Sequence, residues 1–126
     1  HGIRVVQPEN NCYVENLSLT FGSKEDFYAD FKFASCGYLQ LKIENIDCFD
    51  ENDKIEFIFT NVNIPDYTDF SPLPRFGCYE NEFNSAPVPS GSWIAEWEVT
   101  KNGITTNFDS TFVITENQNY YLLLEY

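Results

Sequence analysis

Methionine is absent from these 126 residues, histidine occurs once, and seven lysines and arginines stand against 20 aspartates and glutamates. Each shortage closes off a class of function. A formal charge of −13 repels phosphate backbones and anionic membrane surfaces, so nucleic acid is not an expected partner. The sole histidine, His1, leaves a Ser or Cys nucleophile without a general base held in a folded element, and no catalytic constellation emerges elsewhere. No run approaches the roughly 20 apolar residues that a membrane-spanning helix needs, which excludes insertion by helices. No leader with a positive end and an apolar middle is visible either, and the chain reads as a mature one whose leader has been removed.

Aromatic residues are plentiful, at 17% of the chain. Without methionine, the core has to be assembled from Phe, Tyr and β-branched side chains, which fit the half-buried surface of a pleated sheet. A chain of this length can bury such a core as one domain, and residues 1–126 are read as a single secreted domain.

Cys12, Cys36, Cys48 and Cys78 form an even set with no CxxC spacing, and one histidine cannot complete a zinc site. Disulfides are therefore expected, and with them an oxidising compartment: secretion or the cell surface. Asn16-Leu17-Ser18 is a glycosylation sequon that suits this setting, with Asn16 as the acceptor.

Strict alternation dominates the pattern. Leu17, Leu19 and Phe21, then Phe27, Ala29, Phe31 and Phe33, describe a hairpin with one buried face about the turn at Gly22 to Asp26. A register centred on Lys24 places Cys12 opposite Cys36, provided a bulge near Glu15 and Asn16 turns the cysteines inward. Of three possible connectivities, Cys12–Cys36 is favoured by this register and Cys48–Cys78 then follows by elimination. A third strand through Leu39, Leu41 and Ile43 follows a tight turn at Cys36-Gly37. A fourth, Ile55 to Val62, carries apolar residues on both faces and reads as central and covered on both sides. Trp93, Ala95, Trp97 and Val99 face one way and Glu96 and Glu98 the other. Asn102-Gly103 is the strongest two-residue hairpin signal in the chain. Strands through Phe108 to Ile114 and Tyr120 to Tyr126, with a short first one at Ile3 to Val6, complete about eight. The fold class expected is all-β, an antiparallel β-sandwich of immunoglobulin-like type with two disulfides.

Between Ile64 and Ser90 no convincing strand appears, and five of the six prolines gather there. Long irregular segments inside compact domains are usually binding loops, and Tyr67, Phe70, Phe76 and Tyr79 give this one an aromatic content too high for a solvated linker. Cys48 would fasten it beside the acidic connection that contains Asp50, Glu51 and Asp53. That connection lacks the glycine and spacing of an EF-hand, so it reads as a solvated link and an electrostatic surface instead of a calcium site. Trp93 and Trp97 share a face with Ala95 and Val99 and are assigned to the core, which leaves the loop aromatics as the candidate contact surface.

Two resemblances bear on these expectations. His1, with its amino group, is similar to the N-terminal histidine of copper oxygenases that act on polysaccharides, but those use a second histidine and this chain has none; no metal and no cofactor are expected. Pro89-Ser-Gly-Ser-Trp-Ile-Ala-Glu-Trp-Glu-Val, with the Asn-Gly hairpin after it, resembles the late strands of immunoglobulin-like lipid-recognition domains. Those domains usually hold a cysteine in the next strand, where this chain has Phe108 to Ile114 with none. The same stretch is similar to fungal wall-associated immunoglobulin-like domains, so it implies a sandwich type and no single family.

The function expected is non-catalytic recognition of a protein partner, a cationic one being favoured by charge, through Tyr67, Phe70, Phe76 and Tyr79 together with Asp50, Glu51 and Asp53. A small-ligand binder, with lipid between the sheets or a glycan on loop aromatics, is the alternative.

Overall fold

Where apolar and polar residues alternate most cleanly the chain forms strands, and no helix occurs among the described residues. The computed structural model describes residues 9–14, 32–67 and 74–126. The Ile3 to Val6 strand, most of the Leu17 to Phe33 hairpin, the Asn16 sequon, His1 and Phe70 lie outside them.

Among the described residues ten strands follow in order: β1 (Tyr13–Val14), β2 (Phe33–Ala34), β3 (Cys36–Glu44), β4 (Lys54–Asn61), β5 (Arg75–Phe76), β6 (Glu80–Glu82), β7 (Ala86–Pro89), β8 (Gly91–Lys101), β9 (Ile104–Ile114) and β10 (Asn119–Glu125). One sheet has β3 at its centre, with β10 on one side and both β6 and β7 on the other. The second runs β5-β4-β8-β9, and β1 pairs with β2 in a separate sheet.

The inner faces of the two larger sheets meet in one apolar cluster. Leu39, Leu41 and Ile43 of β3 and Leu122 and Leu124 of β10 come from the first sheet; Ile55, Phe57 and Phe59 of β4 and Trp93, Ala95 and Val99 of β8 come from the second. Each such side chain taken fully out of water contributes about 1.5–3 kcal/mol, so this cluster is the main force opposing chain entropy. Trp93 anchors it: its ring stacks on Phe112 at 6.4 Å, and its Nε1 donates to the Pro89 carbonyl at 2.9 Å, which satisfies the one polar atom it buries. Buried Asn61 does similar work at the β7 to β8 junction, donating to the Ser90 carbonyl and accepting from the Asn63 N–H.

The β8–β9 hairpin turns where the sequence signals it. Asn102 and Gly103 have φ of 48° and 72°, the two positive values that a type I′ turn requires. The four cysteines pair as Cys12–Cys36 and Cys48–Cys78, with Cα separations of 4.9 and 5.1 Å.

Several expectations are corrected. The sheets are not wholly antiparallel, because β10 runs parallel to β3 from Asn119↔Tyr38 to Glu125↔Glu44. The turn after β9, with Asn117 at φ 59°, carries the chain across to the other sheet, and the Phe112–Tyr120 stack at 4.9 Å fixes the crossing. The segment from Ile64 to Ser90 is not strandless: β5, β6 and β7 are short edge pairings within it, too brief to leave a periodic signal. Cys36 and Gly37 sit inside β3 and not in a turn before it. A β-carbon at Gly37 would run into the Ile114 side chain and the Thr115 carbonyl, so close packing explains that glycine. β4 is covered on one face alone, since Ile58 and Val62 are exposed. The expected register is off by one: Tyr13 lies opposite Ala34 and Val14 opposite Phe33, a pairing that continued one step sets Cys12 beside Ser35 and not directly opposite Cys36, while the expected bulge near Glu15 and Asn16 lies outside the described residues. Ser35 is held there by a 2.7 Å hydroxyl contact with Ser90.

Candidate functional site

The Cys48–Cys78 disulfide draws residues 75–79 against the connection between β3 and β4. Backbone bonds complete the junction. The Gly77 N–H donates to the Asp53 carbonyl at 2.8 Å, and the Gly77 carbonyl accepts from the Asn45 side-chain amide at 2.9 Å and from the Tyr126 hydroxyl at 3.4 Å. Asp53 stands at the centre with 0% of its surface exposed. Its Oδ2 accepts from the Phe49 N–H at 2.8 Å and from Asn45 Nδ2 at 2.9 Å, while its Oδ1 and the Asn45 Oδ1 are buried without a donor. Burial works to raise the Asp53 pKa, but the bonds from Asn45 and the backbone at Phe49 and Asp50, with the charge of Lys101, outweigh it and hold the carboxyl below the ordinary 3.8. Tyr126 is pushed up from 10.0 by burial first and then by the Asp53 charge. Lys101 closes the cluster, its Nζ donating to the Asp47 carbonyl at 2.9 Å and lying 5.3 Å from the Tyr126 ring centroid.

The acidic connection therefore divides. Asp53 is an internal staple and offers nothing to a partner. Asp50 is half-buried and turns its Oδ1 to the Asn52 N–H, whereas Glu51 is exposed. The loop aromatics divide in the same way. Tyr67 packs inward, edge-on to Trp93 at 6.2 Å, and Tyr79 packs against the core with the Arg75 guanidinium 5.9 Å from its ring centroid. Phe76 points out with 58% of its surface exposed, and Phe49, one residue from Cys48, is 60% exposed. Phe70 lies outside the described residues. Of the expected contact residues, Phe76, Glu51 and part of Asp50 remain at the surface, joined by Phe49.

A second set of residues escaped sequence reasoning. On the outer face of the β5-β4-β8-β9 sheet, Glu56 lies directly opposite Glu98, and Glu98 opposite Asn107. In the next row Ile58 lies opposite Glu96, and Glu96 opposite Asp109. These six side chains wall a shallow trough of about 610 Å³, and its floor follows the row Phe57, Trp97 and Phe108, whose rings point to the other face. Among the described residues the cation of this face is Lys54, 3.5 Å from Glu56, and Phe76 lies directly opposite Lys54 at the trough's edge. The cystine-fastened end and the acidic trough are thus parts of one surface. Half of it was within reach: the Asn102-Gly103 turn fixes the register that brings Glu96 to Asp109, but Glu56 joins only through the long-range pairing of β4 with β8.

No cluster of three or more His, Cys, Asp or Glu side chains that could hold a metal occurs among the described residues. Comparison with family models, with curated proteins and with solved structures finds no match to this chain.

Proposed function

We propose that the chain is a non-catalytic recognition domain, secreted or displayed at the cell surface and immunoglobulin-like in type, that binds a cationic protein partner on the outer face of the β5-β4-β8-β9 sheet. The observation that carries this reading is the direct opposition of Glu56 to Glu98 and of Glu96 to Asp109 in a concave exposed face. Like charges directly opposite each other across strands destabilise a sheet, so the arrangement does not serve stability. It does serve recognition, because a concavity lined by one sign of charge focuses its field and raises the encounter rate with the opposite sign. Phe76 at the rim supplies what charge alone cannot, an exposed aromatic anchor of the type that dominates interface energies. Glu51 and Phe49 extend the same surface across the disulfide.

The alternative of a small-ligand site is less favoured. Tyr67 and Tyr79, the aromatics that would stack on a glycan, pack into the core, and the rings between the sheets stack on one another.

Immobilised chain incubated with extracellular fluid from its source tests the proposal. A basic protein should be captured, released by raised salt, and lost when Glu96→Gln, Glu98→Gln and Asp109→Asn are combined; Phe76→Ser should weaken capture at every salt concentration. Capture that ignores both salt and these substitutions would sink the reading.

A further inference from the structure

β9 ends its sheet, and no described strand pairs with its other edge. Edge strands usually carry protection: short length, a proline, a bulge or an outward lysine. β9 has none of these. It runs 11 residues in unbroken register with β8, from Gly91↔Ile114 to Lys101↔Ile104. Its sequence contains no proline, glycine, lysine or arginine, and eight successive residues from Ile104 to Thr111 are exposed. Thr, Val, Ile and Phe fill most of it, so its backbone is held extended by residues that prefer that state. A strand this long and this bare presents its unpaired N–H and C=O groups as a template for another chain.

We infer that the outer edge of β9 takes up an extended segment of the cationic partner as an added strand. The inference rests on the proposed recognition of a basic protein and names how that protein is held. The two faces of β9 specify the incoming sequence, because side chains of an added strand alternate as those of β9 do. Residues beside Asp109 come over the acidic trough, where Glu96 also waits, and a lysine or arginine there gains two carboxylates. Residues beside Phe108 fall on the opposite face, where that ring is 45% exposed and stacked on Trp97 at 5.6 Å. An apolar side chain there extends an aromatic surface already half out of water. Alternating cationic and apolar residues are therefore the segment that fits. A second copy of this chain fits poorly: a net charge of −13 repels its own copy, and Asp109 at the midpoint of β9 would meet itself in a symmetric antiparallel pairing.

The test uses the full disulfide-bonded chain and a labelled peptide of alternating Lys and Val, about ten residues long, the upper end of ordinary strand length. Two further peptides carry the same side chains, one N-methylated at every Val and one at every Lys, each removing the donors from one edge of the peptide. The parent should bind, protect the amides of 104–114 from hydrogen exchange, and weaken at least about tenfold with Glu96→Gln and Asp109→Asn combined. One of the two methylated peptides, whichever loses the edge that faces β9, should weaken at least as much. If both methylated peptides bind like the parent while the charge variant does not, strand addition is overturned and charge recognition of a basic partner stands. If the parent does not bind, strand addition is overturned whatever the capture experiment gives. Protein-concentration-dependent dimers that protect 104–114 without peptide would assign the edge to a second copy and overturn the inference.

Discussion

Asn45 donates its side-chain amide to Asp53 Oδ2 at 2.9 Å, and through that bond the turn after β3 is tied to the residue that leads into β4. The pair organises the end of the molecule on which Phe49, Glu51 and Phe76 are displayed, so its ionisation state reaches the proposed contact surface.

Acid should loosen this end. The Asp53 pKa lies below its ordinary 3.8 in the folded chain, so folding favours the ionised form. That stabilisation is complete above pH 3.8 and is lost as pH falls through the lower folded value. Protonating the many exposed acids relieves self-repulsion and acts in the opposite sense, so the wild-type curve alone is a poor readout. Asp53→Asn keeps the shape and the two accepted bonds but removes the charge. Urea unfolding midpoints of the two proteins should differ most at neutral pH and converge as the medium falls below 3.8; a gap that stays constant with pH would refute the assignment.

Limited reduction should open Cys48–Cys78 before Cys12–Cys36. Cys78 is the one exposed member of the four, and the attacking thiolate needs access to sulfur. Closing a loop of this size is worth roughly 3 kcal/mol in the chain-entropy account. Mass spectrometry after brief reductant and alkylation should find modified Cys48 and Cys78 first, with amide exchange rising around 75–79 before it rises in β8. Alkylation that begins at Cys12 and Cys36 contradicts this order.

Two glycines should fail for different reasons. Gly37→Ala forces a β-carbon against the Ile114 side chain and the Thr115 carbonyl, and overpacking of this kind costs about 1–3 kcal/mol. Gly103→Ala meets nothing within 4 Å but must hold φ at +72°, a backbone cost of about 1 kcal/mol. Denaturant titrations should show the Gly37 variant as the less stable of the two, and equal losses would place the strain at Gly37 elsewhere.

What could be read from the sequence was what is local. The inward face of Trp93, Ala95 and Val99 and the Asn102-Gly103 turn each follow from periodicity or from one turn acting on its neighbours, whereas the Cys12–Cys36 bond forms in a register one residue from the expected one. Alternation says which way a side chain points but not which strand lies beside it, so nothing in Tyr120 to Tyr126 announced a parallel partner in β3. Nor does it say whether a face is covered: Ile58 makes the second face of its strand apolar, as in a strand covered on both sides, and lies exposed because no described element is laid over it. Asp53 was misplaced for the converse reason. A carboxylate in an acidic run reads as solvated, and only the converging donors of Asn45 and Phe49 make its burial tolerable.

The acids of the trough should be measurably costly to the fold. Glu98 lies directly opposite Glu56, and Glu96 directly opposite Asp109. An opposed like-charge pair costs about 0.2–1 kcal/mol relative to neutral residues, so Glu98→Gln should raise the free energy of unfolding by that amount and Glu96→Gln should do the same. Because the faces are exposed, the gain must be electrostatic in its salt dependence: larger at low ionic strength, and largely gone near 1 M salt, where the screening length is about 3 Å. Lys54 adds a control. It already offsets Glu56 at 3.5 Å, so Lys54→Gln should destabilise the same row and make the Glu98→Gln gain larger. If neutralising Glu98 and Glu96 leaves stability unchanged at low salt, the acids are not in opposition in solution, and the focused field on which recognition of a cationic partner depends is not there.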